Sequence, residues 1–311
     1  MIKARIINMV FKVIILGSNS AIPTVRRNPT AQVVNHNERL FLIDCAEGTQ
    51  LQLRRFRIRL QRIHHIFISH LHGDHFFGLI GLISSMHLLG RKKTLYIYGP
   101  APLKEILDLQ LEVSMTELAY PLIFNEINPD ESAPIYEDEK LIVSTIPLNH
   151  RIPTCGFLFA EKTGKRRLKK DIVQTLAIPV DQFARIKEGA DFTDASGKVH
   201  KNEEITEAPS VPRSYAYCSD TAYHEPVIPI IEGVDLLYHE ATFMQDKADA
   251  AAEKYHSTTV EAATIAKKAG VKKLVIGHYS TRYDNLDDLL QESKAVFPET
   301  DVAIDGKAYE V

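Results

Sequence analysis

Short apolar runs alternate with polar segments along most of this chain of 311 residues. Short runs rich in β-branched and aromatic residues predict strands, and longer runs with apolar residues three to four positions apart predict helices. The alternation of the two predicts a layered α/β fold, in which functional side chains collect at strand ends. The predicted strands cover residues 11–16, 31–34, 40–43, 63–69, 94–98, 122–126, 141–145, 215–218, 236–238 and 274–276, and the predicted helices cover residues 50–58, 76–89, 102–113 and 260–269.

Residues 152–214 interrupt this alternation with a polar composition and several Gly and Pro residues. We therefore expect one domain over residues 1–311 with an inserted arm at residues 152–214. Clustered Lys and Arg side chains attract a phosphate backbone without regard to sequence, although many such clusters are only solvated hairpins or helices. The cluster at the start of the arm comprises Lys162, Lys165, Arg166, Arg167, Lys169 and Lys170.

The overall composition narrows the class of protein. A hydrophobic content of 45% supports a substantial core, and a net charge of −3 means that a polyanionic partner must bind at local patches. Cys45, Cys155 and Cys218 have no Cys-x-x-Cys spacing, which favours a reducing cytoplasm over a disulfide framework. The first apolar run is interrupted by Lys12 and predicts a strand beginning after Met9 rather than a secretory signal, so Met1 and Met9 both remain candidates for the start. No uncharged run reaches the roughly 20 residues of a membrane span, and we expect no membrane partner.

Residues 69–75, with the sequence SHLHGDH, contain four potential metal ligands directly after a predicted buried strand. These are His70, His72, Asp74 and His75. Three imidazoles and a carboxylate are costly to bury together unless a cation uses their lone pairs. The alternative is a loop of solvated or helix-capping polar residues.

Further ligand-type residues follow other predicted strands, namely His150, Asp220 and His278. Seven ligands with one bridging carboxylate and a bridging hydroxide fill the coordination spheres of two zinc ions, or of other divalent metals. Two such ions lower the pKa of a shared water and neutralise charge on a phosphoryl group, which suits hydrolysis of a phosphodiester. Asp44, also at a strand end, either caps the next helix or supports a ligand histidine.

This ligand pattern resembles the metallo-β-lactamase superfamily. Within it, several stretches resemble the ribonuclease Z family of endonucleases, which remove 3′ trailers from tRNA precursors. The resemblance extends from about residue 12 to the end of the chain. It is carried by residues 17–23 (GSNSAIP) with Arg27 and Asn28, residues 42–50 (LIDCAEGTQ), residues 239–242 (HEAT), residues 256–259 (HSTT) and residues 278–283 (HYSTRY).

The resemblance implies a four-layer αβ/βα sandwich, a homodimer, and cleavage of precursor tRNA that leaves a 3′-hydroxyl on the tRNA and a 5′-phosphate on the trailer. Two Zn²⁺ ions per subunit would be held by His70, His72 and His150 on one side, by Asp74, His75 and His278 on the other, and by Asp220 as the bridge.

The resemblance also implies roles for further residues. Asp74 would help to deprotonate the nucleophile, and His239, oriented by a carboxylate, would protonate the leaving 3′ oxygen. Ser280 and Arg282 would lie near the scissile phosphate, and Arg27 and Asn28 would also contact substrate.

Two stretches depart from the family pattern. Bacterial members carry a Gly-Pro-containing stretch in the arm, whereas residues 176–183 read LAIPVDQF, and Val25 stands where a Lys is expected. These departures concern how the arm grips tRNA. One alternative function is a small-molecule phosphodiesterase, lactonase or sulfatase with the arm as a lid. Another is a non-catalytic nucleic-acid-binding relative, against which the complete set of seven ligands argues.

Overall fold

The computed structural model describes residues 10–311, so the choice between Met1 and Met9 as the start lies outside the described residues. Within that range, no helix is long and apolar enough to cross a membrane. The strands are β1 Phe11–Gly17, β2 Ala31–His36, β3 Arg39–Ile43, β4 Ile63–Phe67, β5 Leu95–Gly99, β6 Leu122–Glu126, β7 Pro134–Glu137, β8 Leu141–Pro147, β9 Cys155–Glu161, β10 Arg167–Leu168, β11 Phe192–Thr193, β12 Val199–His200, β13 Thr206–Glu207, β14 Ser214–Cys218, β15 Leu236–Glu240, β16 Leu274–Gly277, β17 Thr300–Val302 and β18 Ala308–Glu310.

The helices form where local signals start them. Helix α4 begins at a proline, whose missing N–H costs nothing in the first turn, and α9 begins at a capping box between Thr258 and Glu261. The helices are α1 Thr49–Arg55, α2 Gly73–Phe76, α3 Leu79–Leu88, α4 Pro102–Val113, α5 Lys170–Thr175, α6 Phe183–Lys187, α7 Asn202–Ile205, α8 Ala248–Glu253, α9 Thr259–Lys268 and α10 Asp287–Val296.

Two seven-stranded sheets form the centre of the larger of two units, which comprises residues 10–136, 143–159 and 214–311. The first sheet has the order β18-β1-β2-β3-β4-β5-β6, with β3 to β6 parallel, and the second has the order β17-β16-β15-β14-β9-β8-β7, with β14 to β17 parallel. Aromatic side chains fill the space between the sheets. Phe67 of one sheet, for example, lies with its ring centroid 5.5 Å from that of Phe157 of the other.

Helices cover the outer faces of both sheets. The apolar sides of α1, α3 and α4 pack on the first sheet through Leu53, Leu82 and Leu107, while the small buried side of α9 packs on β15 and β16. Parallel strands buried on both faces read as continuous apolar runs, as they do here. The predicted four-layer αβ/βα sandwich is confirmed.

The second unit comprises residues 137–142 and 160–213. It has its own small core, in which Ile178, Ile186, Phe192 and Ile205 are buried, and two short sheets, β10 with β13 and β11 with β12. It contains twelve Lys and Arg side chains and twelve Asp and Glu side chains, so it has no net charge. The arm predicted at residues 152–214 overlaps this unit, but residues 152–159 lie in the larger unit, where β9 joins the second sheet.

Of the helix predicted at residues 76–89, residues 79–88 form α3, whereas Phe76 ends the short helix α2 and Phe77 and Gly78 separate the two. The backbone of Gly78 lies against the segment that precedes α1, and its N–H donates to the Cys45 carbonyl at 2.9 Å. A Cβ at Gly78 would lie 2.0 Å from the Ala46 carbonyl oxygen, so only glycine fits. The break brings the Cys45 segment against α2, which contains Asp74 and His75, and the Cys45 N–H donates to the His75 carbonyl at 2.7 Å.

Candidate active site

The predicted ligands all follow strands of the two sheets, and they meet at the C-terminal ends of those strands. Residues 68–72 join β4 to α2, His150 follows β8, Asp220 follows β14, and His278 follows β16. Asp44, which follows β3, and the predicted ligands Asp220 and His278 have left-handed φ angles of 55°, 60° and 59°. Such backbone costs on the order of 1–3 kcal/mol per residue and persists where surrounding structure enforces it, typically at functional sites.

The first donor group consists of His70, His72 and His150. The Nδ1 atom of His72 lies 3.1 Å from Nε2 of His70 and 3.1 Å from Nε2 of His150, so three ring nitrogens face one point. Burial is the main cause that lowers the pKa of His70, which keeps its lone pair available. The outer nitrogens are anchored, with His150 Nδ1 3.0 Å from the Tyr255 carbonyl oxygen and His70 Nδ1 3.0 Å from Ser69 Oγ.

The second donor group consists of Asp74, His75 and His278. Oδ2 of Asp74 lies 3.6 Å from Nε2 of His75 and 3.6 Å from Nε2 of His278. Both of these nitrogens are buried, and neither forms a hydrogen bond of suitable geometry with a described residue, although carboxylate oxygens lie close to both. A buried imidazole nitrogen without a partner is costly, and a cation at this point would satisfy both.

Asp220 lies between the two groups. Its Oδ2 is 2.8 Å from Nε2 of His75 and 3.4 Å from Nε2 of His278, while its Oδ1 is 3.9 Å from Nε2 of His150. One oxygen thus faces each group, as a bridging ligand requires. Burial raises the pKa of this carboxyl, but the facing imidazoles outweigh burial and hold it well below its usual range. Seven N and O donors in this arrangement fit two divalent ions.

Asp44 supports His75 and does not cap a helix. Its Oδ2 accepts a hydrogen bond from Tyr217 Oη at 2.7 Å and lies 2.8 Å from Nδ1 of His75, and its Oδ1 accepts from the Ser69 N–H at 2.8 Å. Helix α1 has no side-chain cap. Of the two roles open for Asp44, the structure selects the orienting one, which fixes the ring so that Nε2 faces the metal position.

A cavity lies beside this centre. The histidine that lines it besides the predicted ligands is not His239, to which the resemblance gave a catalytic role. His239 is buried, with Nδ1 2.8 Å from the Glu240 carbonyl oxygen, and does not line the cavity. His256 lines it, and its Nδ1 lies 2.7 Å from Oε1 of Glu240. Burial lowers the pKa of His256, but the Glu240 carboxylate more than offsets this and raises it to about 9. Although His256 also lies near Asp220, its Nδ1 serves Glu240 and therefore carries hydrogen rather than a metal.

Comparison with known proteins identifies the family. The chain is 49% identical to the ribonuclease Z of Bacteroides fragilis over 94% of this chain and 96% of that protein, and 49% identical to that of Phocaeicola vulgatus over 93% and 94%. The chain belongs to the ribonuclease Z family. The structure of the human tRNase Z short form is similar to this one with a TM-score of 0.71, 28% identity, and coverage of 96% of this chain and 99% of that chain.

A further match covers residues 11–168 and is to the family model described as anti-Pycsar protein Apyc1. That span contains five of the seven donors and ends before Asp220, His256 and His278. The matches to the ribonuclease Z relatives, in contrast, cover nearly the whole chain and therefore extend over the positions of Asp220, Glu240 and His256.

The resemblance to ribonuclease Z also implied that Arg27, Asn28, Ser280 and Arg282 contact substrate. In the structure their side chains contact other residues of this chain. Arg27 donates from Nε to Asn19 Oδ1 at 3.2 Å, and Asn28 donates to Asp305. Arg282 is exposed, with Nε 3.1 Å from Ser280 Oγ and its guanidinium 4.9 Å from the centroid of the Phe243 ring. None of these residues lines the cavity that five of the seven donors line.

The basic residues predicted at the start of the arm are partly paired within their own unit. Lys165 forms an ion pair with Glu188 at 2.8 Å, and Arg167 forms one with Glu207 at 3.3 Å. Arg166 donates to Thr206 Oγ1 at 2.7 Å, and Lys169 donates to the Glu204 carbonyl at 2.7 Å. Lys170 is exposed in the first turn of α5.

Three charged residues that sequence reasoning missed line the catalytic cavity of about 530 Å³, namely Arg151, Glu253 and Lys254. The Arg151 guanidinium lies 3.3 Å from Nε2 of His72. Its position directly after His150 was a usable signal, because the turn that presents a ligand also presents its neighbour. No comparable signal marks Glu253 or Lys254, which reach the cavity through the end of α8.

Proposed function

We propose that this protein is an endoribonuclease that removes the 3′ trailer from tRNA precursors, leaving a 3′-hydroxyl on the tRNA and a 5′-phosphate on the trailer. The observation that carries the proposal is one cavity in which Asp220 faces two donor groups beside the Glu240–His256 pair. Membership in the ribonuclease Z family supports the choice of substrate.

The proposed cofactors are two Zn²⁺ ions per subunit, with other divalent metals as possible substitutes. His70, His72 and His150 would hold one ion, Asp74, His75 and His278 the other, and Asp220 would bridge them. Bound divalent ions lower the pKa of a coordinated water and neutralise charge on the attacked phosphate. The buried Nε2 atoms of His75 and His278 support this assignment, because they form no hydrogen bond of suitable geometry and face carboxylates that would themselves be ligands.

Two side chains near the centre would each carry out one proton transfer. Asp74, positioned by the Ala21 N–H at 2.8 Å from its Oδ2, would accept the proton of the attacking water as the new phosphorus–oxygen bond forms. As the bond from phosphorus to the 3′ oxygen breaks, that oxygen would take a proton from Nε2 of His256. Glu240 orients the ring through Nδ1, so His256 takes the role that the sequence assigned to His239.

We further propose that the protein acts as a homodimer and that the arm binds precursor tRNA. Exposed apolar side chains at the ends of α3 and α4 and just after α4, including Leu88, Val113 and Met115, supply surface for self-association. Sedimentation velocity would test the dimer directly. We infer a cytoplasmic location, which the three buried free thiols support.

The test of the function uses two substrates, a precursor tRNA with a 3′ trailer and a nitrophenyl phosphodiester. We expect cleavage of the RNA at the tRNA 3′ end, with a 5′-phosphate on the released trailer. Turnover of the small ester alone would favour the alternative function, a small-molecule phosphodiesterase, lactonase or sulfatase.

A further inference from the structure

Positive charge is concentrated in one part of the sequence. Residues 48–104 contain nine Lys and Arg residues but a single acidic residue, Asp74, which is a predicted metal ligand. The whole chain has a net charge of −3, so the remainder carries a clear negative excess. An asymmetry of this size within one segment indicates a surface selected for an anionic partner.

Three of the nine cations have local roles. Arg62 pairs with Glu38 at 3.1 Å, Lys104 pairs with Asp108 on α4, and Arg91 is buried with Nη2 3.0 Å from Nδ1 of His64. The other six are exposed, and none forms an ion pair with any residue in the described part of the chain. We call these six residues the arginine edge: Arg54, Arg55, Arg57, Arg59, Lys92 and Lys93.

The arginine edge begins in the last turn of α1 with Arg54 and Arg55, and its other four residues lie in two connections that pack together. One joins α1 to β4 and the other joins α3 to β5. Residues of both connections line a cavity of about 520 Å³, but of the arginine edge only Lys92 and Lys93 do so. Arg39, Arg62 and Arg91 also line it, and the one acidic residue there, Glu38, is engaged by Arg62. The Gln61 side chain donates to the Met86 carbonyl at 3.1 Å, which fixes the first connection against α3.

These connections precede parallel strands whose far ends lead to the metal ligands. Strand β4 starts after Arg62 and ends before His70, and its five residues rise about 3.3 Å each. The start of β4, which the first connection leads into, is therefore roughly 17 Å from the ligand loop, at the opposite end of the strand. Because duplex nucleic acid rises about 3.4 Å per step, five or six base pairs span this distance.

We propose that the arginine edge binds the phosphate backbone of the substrate RNA, at a helical part remote from the cleaved bond. Guanidinium groups bind phosphate oxygens with paired N–H donors, and unpaired ones need not break an ion pair first. The proposal rests on the proposed function for the identity of the RNA. Two other roles for these residues must be distinguished from RNA binding. One is solubility. The other, for Arg54 and Arg55, is the favourable interaction of a cation with the C-terminal end of α1.

The test compares two variants with equal net charge. The first is Arg54→Gln/Arg57→Gln/Arg59→Gln, and the control is Lys267→Gln/Lys268→Gln/Lys294→Gln, which removes three exposed cations elsewhere. The ligand is fluorescently labelled tRNA without a trailer, which has no bond to cleave, so Kd is measured with the metal-loaded enzyme from 50 to 200 mM KCl. Melting temperature and sedimentation verify the fold and the oligomeric state.

We expect the arginine variant to raise Kd about tenfold or more at 150 mM KCl, and to reduce the slope of log Kd against log salt by up to about 2.7, since each phosphate contact contributes about 0.9. The control should change Kd less than about twofold. Equal Kd and slope for the two variants would overturn the proposal, as would an altered oligomeric state, which would mark a self-association interface. A wild-type enzyme that binds this tRNA but cleaves no precursor would refute the proposed function alone.

Discussion

Replacing His256 by alanine tests the reaction mechanism most directly. In the structure Nδ1 of His256 lies 2.7 Å from the Glu240 carboxylate, so the ring has one nitrogen left for substrate, and that ring lines the catalytic cavity. The substitution removes the proposed proton donor, while the seven predicted metal ligands remain. Metal content should therefore be unchanged, and this can be verified by elemental analysis of the purified variant.

The expected size of the effect follows from what the donor does. A positioned general acid contributes about 10²–10⁴ to a rate, or about 2.7–5.4 kcal/mol of transition-state stabilisation. Lys254 also lines the cavity. If Lys254 supplies the proton in the His256→Ala variant, the loss of rate should lie at the lower end of this range. Glu240→Gln should give a smaller loss, because the amide still holds the ring but no longer favours its charged form.

The assay compares two leaving groups. A ribose 3′ oxygen leaves poorly without a proton, whereas nitrophenolate is a stable anion and needs none. His256→Ala should thus lower kcat on precursor tRNA by about 10²–10⁴ and leave turnover of a nitrophenyl phosphodiester within a few-fold of wild type.

A similar loss on both substrates would refute the role of His256 as an acid, and would indicate instead that it shapes the centre. The matched control is His239→Asn. Because His239 is buried and contacts the Glu240 carbonyl, this change should lower the melting temperature while leaving the ratio of the two activities unchanged. A selective loss on RNA for the His239 variant would restore the role that the sequence assigned to it.

Three further predictions follow from the same site and from the arm. Asp74→Ala should abolish cleavage and lower metal content with the fold retained, as circular dichroism would show; a wild-type rate would mean that the ligand assignment is wrong. Asp44→Asn should weaken metal binding about 10–100-fold in a chelator competition, because the carboxylate orients His75. Residues 162–212 can be replaced by a short Gly/Ser linker, because the Glu161 N–H donates to the Arg213 carbonyl at 2.9 Å and the two ends already meet. This replacement should raise KM for precursor tRNA at least tenfold and leave turnover of the small ester unchanged. Equal loss on both substrates would mean that the arm has a structural role.

Much of the fold was predictable because its strands are buried on both faces and therefore form continuous apolar runs. Strand β9 was missed for a physical reason. It lies next to the polar arm sequence, and a boundary drawn from composition removed it together with the arm, although Phe157 and Phe159 are fully buried. Strands β17 and β18 have three residues each, which is too short for alternation to be visible.

The ligand positions were predictable because each follows a strand, and parallel strands deliver their ends to one edge of a sheet. The choice between His239 and His256 needed a different kind of information. Successive side chains of a strand point to opposite faces, so His239 and Glu240 cannot both face the cavity. Tyr238 lies two residues before Glu240 and stacks on Tyr217 with ring centroids 5.3 Å apart, which places Glu240 on the inner face and His239 on the other. All five residues of β15 are buried, so hydrophobicity gave no indication of which face was which. Alternation counted from Glu240 places its carboxylate on the side of Asp220. A buried carboxylate there requires a partner from outside the strand, and His256, in the segment that leads to α9, is that partner.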